Sequence, residues 1–342
     1  MTDQPEDGSP GKLVYELVSL DGQRSKFAIA ASWLTGILLL AALVVLVLRR
    51  GDIELFISVL VSADPVWLMA AFLSQIGTYA CAAAIWANVL GRVGVQRRMR
   101  DLFGLALMEL FANQAMPTGG ISGSVVVMHG LRRRAVPDAI AATALLTAAL
   151  SYYVAYLLVA LLGFALLWWQ VGLSNGWVYL GAIFVLVIIL IAALLLFLVR
   201  SRGNFIPKSI RGWPSVKRLA DVMQSIRRDV VGDSMVILRA VSLQTFIFML
   251  DAMTLWLALR AIAVEVAPTD AFVSFILASV VATLAPLPLG LGSFEGTCVA
   301  LLHLFGVQIE AALAATLVLR GLTFWLPMVP GIWLLRREAR VS

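Results

Sequence analysis

The chain has 342 residues, 61% of them hydrophobic and only 13% charged, with a net charge of +6. Soluble domains carry about 25% charged residues, so this composition excludes a soluble globular protein and points to the membrane class. Cys81 and Cys298 lie far apart in separate apolar runs, which excludes a disulfide framework and a CxxC metal site.

Residues 1–26 are polar and read as a cytoplasmic tail. The first apolar run, 27–48, is too long for a signal-peptide core and lacks a small-residue cleavage site, so it reads as a retained span. A helix needs about 20 apolar residues to cross a hydrocarbon layer of ~30 Å. Six runs qualify: 27–48, 65–90, 138–167, 177–199, 234–262 and 310–335. Two further apolar regions, 101–134 and 270–306, are each split by Pro and Gly, at Pro117–Gly120 and at Pro286–Gly292. Their arms are too short to cross alone. Segments 51–63 and 214–230 mix apolar and charged residues and read as short interfacial helices.

The basic residues orient these spans. With the N-terminus cytoplasmic and only the six long runs crossing, 21 of the 26 Lys and Arg residues face the cytoplasm, a strong positive-inside pattern. The net charge is therefore a topology signal, and no nucleic-acid partner is expected. Arginines flank 101–134 on both sides, so that region is expected to enter from the cytoplasm and return. Region 270–306 has Glu265, Asp270 and Glu310 at its flanks and is expected to enter from outside and return there. Such non-helical backbone is tolerated only within protein or along a wet cavity.

The two halves share one order of elements: span, connector, span, broken hairpin, span. A shift of 171 residues places Pro117 on Pro288, Gly119 on Gly290, Ser122 on Ser293, Val136 on Val307, Ala141 on Ala312 and Leu146 on Leu317; a shift of 170 places Trp86 on Trp256. The halves begin on opposite sides, so the repeat is inverted. Inverted repeats with broken helices are a transporter architecture in which the breaks form the substrate site. The expected fold is thus an all-α polytopic membrane protein with six full spans, two re-entrant helical hairpins and both termini cytoplasmic. Repeat 1 covers 27–168, repeat 2 covers 177–335, and 336–342 is a second cytoplasmic tail.

Ionisable groups at bilayer depth cost ~2.5–3.5 kcal/mol on insertion scales, so each needs a partner or a function. The deep ones are Glu109, Asp251, Glu295 and Arg320. Arg320 either pairs with Asp251 or Glu295 as a structural bridge, or binds a lipid phosphate. Arg239 is close enough to its helix end to snorkel. In the stretch from Pro286 to Glu295, Ser293 is a candidate N-cap with Glu295 in the first turn, where an acid also suits the helix dipole. Free N–H groups at such a start can hold a phosphate. The first break offers Pro117, Thr118, Gly119 and Gly120, with Ser122 and Ser124 as further donors. Asn113 shares a helix face with Glu109; these two and Gln114, on the arm before the first break, line a cavity or satisfy carbonyls at the break. His129 and His303 are isolated and read as packing residues; no metal or other cofactor is expected. Trp168, Trp169 and Trp177 fit an aromatic belt.

The motifs PLPLGLGSFEG at 286–296 and LVLRGLTFWLPMVPG at 317–331, with MPTGGISG at 116–123 and LRRR at 131–134, resemble the lysylphosphatidylglycerol synthase transmembrane family. These flippase-like proteins include the membrane half of the bacterial multiple peptide resistance factor. The resemblance implies movement of an anionic or aminoacylated phospholipid, or a polyprenyl-linked lipid, between leaflets of the bacterial cytoplasmic membrane. It carries Pro288, Gly290, Gly292, Glu295 and Arg320 over as the site. Family members often place a charged residue soon after the first Gly-Gly; here Ser122–Met128 has none. The synthases add a soluble transferase domain that is absent here, so the synthetic reaction is not expected. Two other readings stand beside a flippase or scramblase: an accessory or transferase acting on a lipid carrier, and a proton-coupled small-molecule exporter. An oligomer is compatible with the sequence.

Overall fold

Asp64 sets the first boundary. Its Oδ1 accepts the Val66 N–H at 2.8 Å and Pro65 follows at the first helical position, a pairing that favours a helix start. Helix α1 is Pro65–Arg92; α2, Met99–Ala115; α3, Ile121–Arg133; α4, Asp138–Gln170; α5, Asn175–Ser201; α6, Arg228–Val231; α7, Ser234–Ala261; α8, Pro268–Leu284; α9, Ser293–Leu304; α10, Ile309–Arg320; and α11, Leu326–Arg340. A 3₁₀ turn, Pro288–Gly290, lies between α8 and α9, and a π turn, Gly321–Trp325, joins α10 to α11. This computed structural model describes residues 62–115, 120–172, 174–201, 226–285 and 287–340. The expected span 27–48, the interfacial segment 51–61, residues 214–225 and the break residues Pro117, Thr118 and Gly119 lie outside them.

Five helices are long and apolar enough to cross a membrane: Pro65–Arg92, Asp138–Gln170, Asn175–Phe197, Ser234–Ala261 and Ile309–Arg337. They coincide with five of the six apolar runs. Many of their large apolar side chains face outward, including Leu158, Ile189, Leu190 and Phe246. An apolar outer surface of this kind belongs against lipid.

The centre is the antiparallel pair α1–α7. The Asp64 N–H donates to the Ala261 carbonyl at 2.7 Å. The Ser74 hydroxyl donates to the Leu250 carbonyl at 2.9 Å, and Asn88 Nδ2 to the Val236 carbonyl at 2.9 Å. At the far end Arg92 Nε meets Asp233 Oδ2 at 2.6 Å. Gly77 allows the approach: a Cβ there would stand 3.0 Å from Leu250 Cδ1. One apolar core joins α4 and α7 to α8, α9 and α10; a second joins α1, α2 and α3 to the start of α4.

The broken regions are helical hairpins whose arms pack together. The arms have 17 and 13 residues in the first and 17 and 12 in the second. At 1.5 Å per residue, even the longer arms reach only ~25 Å, short of a full crossing. The first hairpin closes on small residues: a Cβ on Gly130 would meet Leu105 Cδ2 at 2.1 Å. Both returning arms start after a glycine at positive φ, Gly120 at 93° and Gly292 at 81°.

The arms also end alike. The Val136 N–H donates to the Leu131 carbonyl at 3.1 Å and the Val307 N–H to the Leu302 carbonyl at 3.0 Å. The preceding residues, Ala135 and Gly306, have φ of 54° and 88°. Both valines are buried, which completes the hydrophobic contact of a Schellman end. The next residues, Pro137 and Gln308, share φ/ψ of −58°/143° and −61°/142°. The two turns lie 171 residues apart, the spacing that aligns the motifs.

Candidate functional site

The second break starts at Ala285, where extended backbone ends α8. Leu289 and Gly290 then take φ of 58° and 64°. Gly290 is required there twice over. It holds a left-handed conformation, and a Cβ would sit 2.5 Å from the Ala282 Cβ. Ser293 is the first residue of α9 rather than its N-cap. The cap is Gly292, because its positive φ turns the chain into the helix, and the Ser293 hydroxyl donates back to the Gly290 carbonyl at 3.0 Å.

Glu295 closes this turn. Its Oε2 accepts the Gly292 N–H at 2.6 Å and its Oε1 accepts Arg320 Nε at 2.6 Å. The carboxylate is 1% exposed and the Arg320 side chain 17%. The guanidinium also lies 4.3 Å over the Phe294 ring, and Phe294 meets Phe275 edge-on. Among the alternatives left open by the sequence, Glu295 is the ion-pair partner of Arg320. A buried pair of this kind stands only where both charges are hydrogen-bonded. Only Nε of Arg320 is engaged: its terminal amino groups make no hydrogen bond among the described residues. The pair therefore leaves the terminal amino groups of the guanidinium, the donors that bind carboxylates and phosphates in a two-pronged way, without a partner among the described residues.

Two contacts whose partners the sequence did not reveal hold this site in place. The Tyr156 and Thr283 hydroxyls share a hydrogen bond at 2.9 Å, tying the end of α8 to α4. Tyr156 in turn stacks on Phe248 of α7, with ring centres 5.1 Å apart. Gln114, at the tip of the first hairpin, sends its Nε2 to the Thr323 carbonyl at 3.4 Å. Pro327 has no N–H to give that carbonyl four residues earlier, so a neighbour can take it. The first break thus touches the π turn directly after Arg320. Proline and a polar residue inside an apolar run were the available signals.

The other expected residues divide clearly. Asn113 serves its own hairpin: its Oδ1 accepts the Gly123 N–H at 2.8 Å and the Ser122 hydroxyl at 3.3 Å. Glu109 is partly buried on the same face and makes no hydrogen bond or ion pair among the described residues. Asp251 stands apart from Arg320; its Oδ1 accepts Gln75 Nε2 at 3.0 Å, and the same nitrogen reaches Thr254 at 2.8 Å. Gly120, Gly290, Gly292, Ser293, Glu295 and Arg320 lie at or beside the breaks, as does the backbone of Pro288. His129 accepts from Arg133 Nε at 3.0 Å and His303 Nδ1 pairs with the Val307 carbonyl. No cluster able to hold a metal occurs among the described residues.

The family profile described as lysylphosphatidylglycerol synthase TM region matches residues 33–331, which include both hairpins and the Glu295–Arg320 pair. The chain belongs to the lysylphosphatidylglycerol synthase TM region family. A UPF0104 membrane protein from Methanothermobacter thermautotrophicus is 24% identical over 316 residues, covering 87% of this chain and 91% of that one. This member of the family is a multi-pass membrane protein, and the resemblance carried by the two Gly-rich breaks and Arg320 extends over most of its length.

Proposed function

We propose that the protein moves a lipid between leaflets, as a flippase or scramblase, without catalysing a chemical step. The substrate class is an anionic or aminoacylated phospholipid or a polyprenyl-linked lipid. The carrying observation is the half-engaged Arg320: held by Glu295, nearly buried, with its terminal amino groups uncommitted. A phosphate can take those donors without leaving Glu295 unpaired, which lowers the cost of bringing the headgroup to bilayer depth. The glycine backbone of the second break is tied to this pair through the Gly292 N–H that Glu295 accepts.

The reading also rests on an inverted repeat. The matched hairpin ends 171 residues apart and the antiparallel α1–α7 pair support one. In that arrangement the hairpins enter from opposite sides, six spans cross, and both termini are cytoplasmic. The Gln114–Thr323 contact links the first break to the Arg320 region, as a site shared by two repeats requires. Reconstitution with headgroup-labelled lipids tests the function: quenching from outside should reach lipid that began inside. Absence of exchange for every anionic lipid tried would end this reading.

A further inference from the structure

A second polar group lies well away from the breaks. Asn88 of α1 and Leu238, Arg239, Ser242, Leu243 and Phe246 of α7 line an open groove of about 590 Å³. The α7 residues recur at helical spacing and form one face. Arg239 and Ser242 are exposed, and neither makes a hydrogen bond or ion pair among the described residues. The Asn88 amide nitrogen is committed to the Val236 carbonyl. Asp233, just before the start of α7, is paired with Arg92.

Depth decides what such a groove takes. Helix α7 has 28 residues, a length of ~42 Å against ~30 Å of hydrocarbon, so each end of a centred helix extends ~6 Å beyond it. Arg239 is five residues from Ser234, ~7.5 Å along the axis, at the boundary between headgroups and chains. Asn88, four residues before the end of α1, lies at the matching level. Ser242, Leu243 and Phe246 continue inward. The polar end is therefore at phosphate level, and the apolar end, with Leu238 and Phe246 more than half exposed, is at acyl level. An arginine at that boundary finds an anion at low cost only in a lipid headgroup.

We propose that this groove is a binding site for one anionic glycerophospholipid, its phosphate on Arg239 and one acyl chain along Leu243 and Phe246. The site is distinct from the Glu295–Arg320 pair and does not depend on lipid transport. The test is native mass spectrometry of the full chain in mild detergent, titrated with short-chain phosphatidylglycerol, phosphatidylcholine or glycerol phosphate. The wild type should bind phosphatidylglycerol in preference to both others. Arg239→Gln should weaken that binding roughly tenfold, the loss of one charge-assisted contact. Ser242→Trp, which fills the groove, should displace the lipid with Arg239 intact. Equal phosphatidylglycerol affinity in wild type and Arg239→Gln would overturn the site. So would glycerol phosphate binding as tightly as the lipid, or a photo-crosslinker at Leu243 joining the groove to residues 27–61 instead of lipid.

Discussion

Uncoupling Glu295 from Arg320 separates the structural role of the pair from its proposed transport role. Glu295→Gln keeps an amide oxygen for the Gly292 N–H but leaves Arg320 without a counter-charge; Arg320→Met leaves Glu295 with the Gly292 N–H alone. Breaking a buried pair costs about 3–5 kcal/mol, because the surviving charge stays desolvated. The residual 17% exposure of Arg320 puts both single variants near the lower end, about 3 kcal/mol each. The double variant buries no charge and should lose only about 2 kcal/mol, so the cycle should show a coupling of several kcal/mol. Equilibrium unfolding by SDS in mixed micelles measures the stabilities, and leaflet exchange in proteoliposomes measures function. The double variant should be folded and nearly inactive. A double variant that loses the sum of the two singles would show that the ion pair is not what couples these residues. Wild-type exchange in the folded double variant would refute the phosphate role.

Other expectations follow from close contacts. Gly290→Ala should destabilise by about 2–3 kcal/mol, combining the left-handed strain with the clash on Ala282, whereas Gly296→Ala, with open space around it, should be neutral or slightly stabilising on the same unfolding assay. Gln75→Leu should cost about 1–3 kcal/mol by leaving Asp251 and Thr254 short of a donor. The hydrogen bond from Arg92 holds the Asp233 carboxyl below its ordinary value of 3.8. Its contribution is therefore complete above that value and disappears as the pH falls through the depressed folded value. The stability gap between wild type and Asp233→Asn, which keeps a capping side chain, should accordingly be present at neutral pH and close in strong acid. A cysteine at Asn175 should react with an impermeant reagent from outside and one at Ser215 only from the cytoplasm; the reverse labelling would overturn the orientation.

What could be seen beforehand depended on how far apart in the chain the deciding atoms lie. Runs 65–90, 138–167 and 234–262 fall within a few residues of Pro65–Arg92, Asp138–Gln170 and Ser234–Ala261, because hydrocarbon thickness and local capping govern their ends. The breaks were legible for the same reason: Pro and Gly act on their own backbone. The partner of Arg320 was not legible. Asp251 and Glu295 are both acids in apolar surroundings, and only packing turns Asp251 toward Gln75 while the Gly292 cap aims Glu295 at Arg320. Gln114 was legible as a residue that lines a cavity or satisfies a carbonyl, but its partner and that of Tyr156, a carbonyl freed by Pro327 and the Thr283 hydroxyl, were not, because they are more than 100 residues away. Asn113 had two readings in sequence, lining a cavity or satisfying carbonyls, and its Oδ1 accepts the Gly123 N–H of its own hairpin, a contact that neither reading named.

The proposed repeat makes the charge distribution informative. The shift of 171 that superposes Ser122 on Ser293 places Ser124 opposite Glu295 and Ala149 opposite Arg320. The Ser124 hydroxyl donates to the Gly120 carbonyl at 2.9 Å, whereas Glu295 accepts the Gly292 N–H, so a neutral side chain bonds an acceptor at one helix start and an acid bonds a donor at the other. No cation is then required at position 149, where small Ala149 stands. Among the described residues, an ionised side chain closes the second break and none closes the first, and a buried carboxylate in turn demands a buried cation. If closure were the only requirement, serine would serve in both repeats at lower electrostatic cost. Retaining Glu295 and Arg320 in one repeat fits an anion handled on one side of the two-fold relation. Replacing the pair with the first repeat's residues, Glu295→Ser with Arg320→Ala, should therefore give a protein whose second hairpin still closes, with ordinary thermal stability. It should lose leaflet exchange of anionic lipid; retention of that exchange would show that the asymmetry serves the fold alone.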